Sequence, residues 1–145
     1  MALEQPDLGA LVGYRLKHVQ SLLRARMDGE LRPLGLTTPQ YVCLELLSRT
    51  PGASNSELAR GAFVTRQTMN ALLVALEHRG LIVRAERAPT GRALPTKLTP
   101  AGAEMLARAA DVVGAIESRM IGGLSSEQVA GLQSALAACA EALEA

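Results

Sequence analysis

The sequence predicts a mainly helical chain carrying one small β-hairpin, and three observations predict it. Of its 145 residues, Ala and Leu account for 24 each, and both favour helix. Apolar residues recur at spacings of three and four over most of the chain, the pattern of amphipathic helices. That period gives way once, after residue 80, to a strand-like run followed by the turn signal Pro89-Thr90-Gly91. With 48% apolar residues the chain can build a core, and with only Tyr14, Tyr41 and Phe63 as aromatics that core is aliphatic. The length fits one domain of ordinary size.

Leu8, Val12, Leu16, Val19, Leu23, Met27 and Leu31 form one stripe, widened by Leu11 and Leu22. It predicts a single helix over residues 7–32, stopped by Pro33 and Gly35. Such a helix is about 39 Å long, too long for the core of a small globule, so part of it should project or pack on another chain. Thr37-Thr38-Pro39 starts the next helix, with Pro39 at the first position, through Tyr41, Leu44 and Leu47 to Arg49. Ser54-Asn55-Ser56-Glu57 is a capping box that opens a short helix to Gly61. Thr65 caps a further helix with the stripe Met69, Leu72, Leu73 and Leu76, and Gly80 closes it. Residues 81–87 read as a strand and 93–99 as its return, with Pro95 confining the return to an edge. Thr99-Pro100 opens a long helix through Leu106, Ala109, Val112 and Ile116 to Gly122-Gly123. A capping box at Ser125–Gln128 opens the last one, which should bury Val129, Leu132, Leu136 and Leu143.

The net charge of +1 conceals an asymmetry. Residues 1–59 carry six basic and six acidic side chains. Residues 60–97 carry seven basic ones, Arg60, Arg66, Arg79, Arg84, Arg87, Arg92 and Lys97, against Glu77 and Glu86. Residues 98–145 carry two basic and six acidic ones. A central positive block suits a polyanionic partner, with the acidic end held away from it.

Other classes fall away. No apolar run reaches the 18 residues of a membrane span. The start MALEQPDLGA has neither the basic nor the apolar segment of a secretory signal, which predicts a cytoplasmic chain. There Cys43 and Cys139 stay reduced, and with two distant histidines they make no metal site. Cys43, in an apolar helical stretch without a neighbouring cation, reads as a buried inert thiol. H-E-x-x-H, G-x-S-x-G and a Gly-rich phosphate loop are absent, so neither an enzyme nor a cofactor is predicted.

Two short helices joined by a tight turn and followed by a hairpin describe a winged helix-turn-helix. Glu57-Leu58-Ala59, Val64-Thr65-x-x-Thr68, Leu72 and Leu76-Glu77 fit that pattern, with Ala59 where the helices cross and Val64 buried before the second of them. Phe63 departs from it, since many such motifs carry a turn glycine there. With Phe in place, the turn is expected to be relaxed and the ring to fill the core beneath it. The longer series Leu36-Thr37-x-x-Gln40-Tyr41-x-x-Leu44-x-x-Leu47, Glu57-Leu58-Ala59, Leu76-Glu77-x-x-Gly80-Leu81-x-x-Arg84, Gly91-Arg92 and Leu98-Thr99-x-x-Gly102 resembles the MarR family of bacterial transcription regulators. The resemblance runs in register over about residues 8–143.

The resemblance implies a winged helix-turn-helix DNA-binding region at 36–99 and a discontinuous helical dimerisation region at 1–35 and 100–145. It implies a homodimer on pseudo-palindromic double-stranded DNA, in the usual case a repressor released by a small aromatic, phenolic or anionic ligand. The competing reading is a winged helix for protein contacts alone, which would lack the steep salt dependence of DNA binding. Thr65, Arg66, Gln67, Thr68 and Asn70 then lie on the first turns of the helix that enters the major groove. There Arg can read guanine, and Asn or Gln adenine; Thr65 also serves as N-cap. Ala71 stands where many relatives carry a basic residue. Arg92 matches the wing arginine that relatives place in the minor groove, but Thr90 replaces the aspartate that would orient it. Arg84 and Arg87 at the wing base could hold phosphates, with Arg84 alternatively paired to Glu77 or Glu86. Tyr14, Arg15 and His18 beside Leu11 and Leu22 offer an apolar wall edged by a cation and an imidazole, suited to an aromatic carboxylate. The alternative for these three is an interface ion pair or a solvated edge.

Overall fold

The computed structural model describes residues 4, 5, 7–85 and 95–145. They form α1 (Val12–Leu31), α2 (Thr38–Arg49), α3 (Asn55–Ala62), α4 (Arg66–His78), β1 (Ile82–Arg84), β2 (Thr96–Leu98), α5 (Pro100–Ile121) and α6 (Ser126–Glu144), in the order the sequence predicts. Contacts divide the chain within α5 into two compact units, one up to Val112 and one from Val113 to Ala145.

The first helix starts later than its apolar stripe predicts. Leu8–Ala10 is a 3-10 turn and Leu11 is extended at φ −86°, ψ 120°. Asp7 makes no side-chain cap and Leu11 can offer none, so nothing satisfies the free N–H groups of a longer helix. Arg15 instead folds back, its Nε donating to the Gly9 carbonyl at 2.7 Å. The 20 residues of α1 span about 30 Å. A second 3-10 turn, Arg32–Leu34, ends at Gly35 with φ 73°.

In the first unit, α2 buries Cys43, Leu44 and Leu47, α3 buries Leu58 and Ala59, and α4 buries Met69, Leu73 and Leu76. Each set lies on one helix face. The capping boxes at Ser54 and Ser125 form as expected, and Thr37 makes a further one with Gln40. Pro39 is the second residue of α2, not the first. The end of α1 is tied to the start of α2: Thr38 Oγ1 donates to Asp28 at 2.5 Å, and Arg24 pairs with the same carboxylate at 3.1 Å. The Thr38 hydrogen bond leads in holding the Asp28 carboxyl below its ordinary pKa.

The strands pair antiparallel, Ile82 with Leu98, Val83 with Lys97 and Arg84 with Thr96. They are shorter than predicted, the intervening residues 86–94 lying outside the described residues. The Gly52 N–H donates to the Thr96 carbonyl at 2.9 Å, docking the α2–α3 turn on β2. At the other end, the Thr99 N–H donates to the Leu81 carbonyl at 3.1 Å. Thr99 Oγ1 donates to the Gly80 carbonyl at 2.6 Å and accepts from the Gly102 N–H at 3.0 Å. The start of α5 thereby clamps the hairpin, and Gly102 sits where a Cβ would stand 1.9 Å from the Leu81 carbonyl oxygen.

Two apolar stripes remain uncovered in the single chain. In α1 only Leu31 is buried, while Val12, Leu16, Val19 and Leu22, with Leu11 just before the helix, are exposed. In α6, Leu132, Leu136 and Leu143, expected to be buried against a second chain, are exposed in the single one. No helix among the described residues is long and apolar enough to cross a membrane.

Candidate nucleic-acid interface

The α3–α4 turn sets the direction of α4. The Val64 N–H donates to the Ala59 carbonyl at 3.1 Å, and Phe63 caps α3 at φ 60°, ψ 38°. Two expectations fail here. A non-glycine residue in the left-handed region is strained, because its Cβ crowds the backbone. And Phe63 is 94% exposed, so its ring fills no core. Ala59 is buried as expected, and Val64 is half-buried.

Thr65 caps α4. Its hydroxyl accepts the Thr68 N–H at 3.1 Å and lies 3.1 Å from the Thr68 hydroxyl, so the cap engages both the backbone and the side chain of Thr68. Arg66, Gln67, Thr68 and Asn70 are all exposed, while Met69, Leu73 and Leu76 anchor the opposite face. The helix therefore presents one rigid polar edge at its N-terminal end.

Arg84 makes a contact that neither expectation named: its Nη1 donates to Asn70 Oδ1 at 3.3 Å, bridging β1 to α4, while Glu86 lies outside the described residues. Its Nε is buried without a partner among the described residues. With Oδ1 engaged, the Nδ2 hydrogens are what the Asn70 side chain has left to offer a partner. The signal for this contact was strand alternation: Arg84 shares a side of β1 with buried Ile82. Arg87, Thr90, Arg92 and Glu86 lie outside the described residues.

Tyr14, Arg15 and His18 are exposed on α1, and the Arg15 guanidinium is turned toward Gly9. A groove of about 450 Å³ opens further along, lined by Arg24, Asp28, Arg32, Gly35, Leu36 and Thr37. Cys43 is fully buried, its Sγ 3.8 Å from Met69 Sδ, and burial pushes its thiol up to about 12. It is a buried packing residue, as expected. Cys139 is exposed. Among the described residues no cluster of His, Cys, Asp and Glu could hold a metal ion.

A capped, polar-edged helix set across a shorter one and followed by a two-stranded hairpin defines a winged helix-turn-helix. Residues 34–93 match the model of the MarR family. The chain is similar to the HTH-type transcriptional repressor Rv2887 of Mycobacterium tuberculosis, 45% identical over 112 residues that cover 77% of this chain and 81% of that protein. It belongs to the MarR family. The crystal structure of Rv2887 in complex with DNA superposes with a TM-score of 0.73 at 39% identity, covering 90% of this chain and 98% of that one. The complex of Rv2887 with salicylic acid gives 0.71 at 41% identity, covering 90% and 96%. The transcriptional repressor CouR bound to a 23-mer DNA duplex gives 0.84 at 34% identity, covering 97% and 99%.

Proposed function

We propose that this chain is a cytoplasmic DNA-binding transcriptional repressor, a homodimer released from its operator by a small aromatic acid, with no enzymatic activity. The observation that carries the reading is the leading edge of α4. Arg66, Gln67, Thr68 and Asn70 are exposed there on a helix locked from behind by aliphatic packing. The edge lies in the chain segment of positive charge, which suits a phosphate backbone. Similarity to repressors whose structures hold DNA supports it.

In this reading residues 36–99 bind DNA, and 1–35 with 100–145 form the dimer. Two copies cover the exposed stripes of α1 and α6, whose apolar character is that of an obligate interface. Gln67 and Asn70 read bases, while Arg66 holds phosphate or guanine. Arg84 positions Asn70, and Arg87 and Arg92 belong to the wing. Tyr14, Arg15 and His18 serve the effector, with a second chain closing the wall that is open in one. The salicylic acid bound by similar Rv2887 supports that ligand class. Coupling has a physical route within the first unit. α1 is joined to α2 through Asp28–Thr38, and Arg79 next to the end of α4 donates to the Gly35 carbonyl at 2.6 Å. A ligand that favours one setting of α1 biases the setting of α4, by no more than its own difference in affinity for the two.

Gln67→Ala and Asn70→Ala should each relax preference at one or two base pairs per half-site, with about 1–3 kcal/mol of discrimination lost. Arg66→Ala should lower affinity more uniformly if it holds phosphate. Selection of bound duplexes from a random pool is the check. Preferences identical to wild type for both Gln67→Ala and Asn70→Ala would remove α4 from its assigned role.

A further inference from the structure

Phe63 is the chain's sole phenylalanine, and it is 94% exposed. Exposure alone means little, but its backbone is also held at φ 60°, where a glycine would be relaxed. The turn over-determines that geometry. The Phe63 N–H is directed to the carbonyls of Ala59 and Arg60, and the Val64 N–H to that of Ala59. Strain that the surroundings enforce gathers at binding sites more than elsewhere. The ring's position along the chain narrows what it meets. Phe63 stands two residues before Thr65, the N-cap of α4, and the exposed Arg66, Gln67 and Thr68 follow. In a docked helix-turn-helix, that N-terminal end of the second helix lies nearest the base edges. Its immediate neighbours Gly61, Ala62 and Val64 carry no charge, so Phe63 stands in a short apolar stretch between the exposed Arg60 and Arg66.

We propose that Phe63 is a DNA contact. Its ring packs on an apolar surface of the operator at the edge of the major groove, a thymine C5-methyl or the face of a deoxyribose. The inference rests on the reading of α4 as the helix that enters the groove. Aromatic contact with a thymine methyl is an established means of base readout, and a ring with two side-chain torsions loses little freedom on binding. The strained turn holds the ring outward before DNA arrives.

The test uses the full chain and its selected operator, with Phe63→Gly, Phe63→Asn and Phe63→Tyr. Gly and Asn accept the left-handed backbone readily, so both variants should melt at the wild-type temperature or above it. Both should bind the operator about five- to thirty-fold more weakly. Phe63→Tyr keeps the ring and should retain binding. The dependence of affinity on salt should keep its slope in all three, because no phosphate contact is lost. Replacing thymine by uracil, position by position, assigns the surface. Against a methyl contact, wild type loses affinity at one or two positions and Phe63→Gly does not. Against a sugar, neither responds and the deficit of Phe63→Gly persists. Stable Gly and Asn variants that bind within twofold of a wild type with steep salt dependence would overturn the role of Phe63 and leave α4 untouched. A wild type that binds no duplex in a salt-dependent way would overturn both.

Discussion

Gly102→Ala should unseat the hairpin and cost on the order of 3 kcal/mol or more of folding stability. The new methyl carbon would stand 1.9 Å from the Leu81 carbonyl oxygen and 2.9 Å from its carbon. Both are backbone atoms, so no side chain can swing aside. The Leu81 carbonyl also accepts the Thr99 N–H, and Thr99 holds Gly80 and caps Gly102, so moving α5 breaks several bonds together. The damage lands where β1 leaves α4, so DNA affinity should fall with stability. Gly114→Ala on the same helix is the control, since a Cβ there meets nothing within 4 Å. It should be neutral or stabilising by up to about 1 kcal/mol. Equilibrium denaturation of both variants decides the matter, and equal stability for the two would refute the clamp.

Removing residues 125–145 should abolish tight operator binding. Deleting α6 removes one of the two exposed apolar stripes, Leu132, Leu136 and Leu143, on which the proposed dimer rests. An obligate dimer often has no stable monomer, and separated heads lose the effective concentration that each gives the other. The truncated chain should sediment as aggregate or as unfolded monomer and lose operator affinity by on the order of a hundredfold or more. A compact monomer that binds the full operator as wild type does would contradict the dimer.

Helices and caps were legible because their causes are local. Ser54 with Glu57, Thr65 before Thr68 and Ser125 with Gln128 satisfy N–H groups a few residues away. The start of α1 was not, because an apolar stripe says where a face lies and not where caps fail. Phe63 was visible as a departure from a turn glycine, yet its consequence was inverted. The crossing of α3 and α4 fixes the φ of that residue, and the side chain bears the strain and points to solvent. The link from Arg84 to Asn70 joins residues 14 apart, and only strand alternation hinted that Arg84 faces inward. The need for Gly102 depends on a contact with Leu81 that no local pattern reports.

In the proposed function, two copies of this chain read duplex DNA with α4. Selecting bound sites from random duplexes with the full chain, then measuring affinity for the best site across a salt series, tests it most directly. The expected site is a pseudo-palindrome with half-site centres about 10–11 base pairs apart, bound with an affinity that falls steeply as salt rises. A pool that yields no repeated half-site, or binding indifferent to salt, would contradict it.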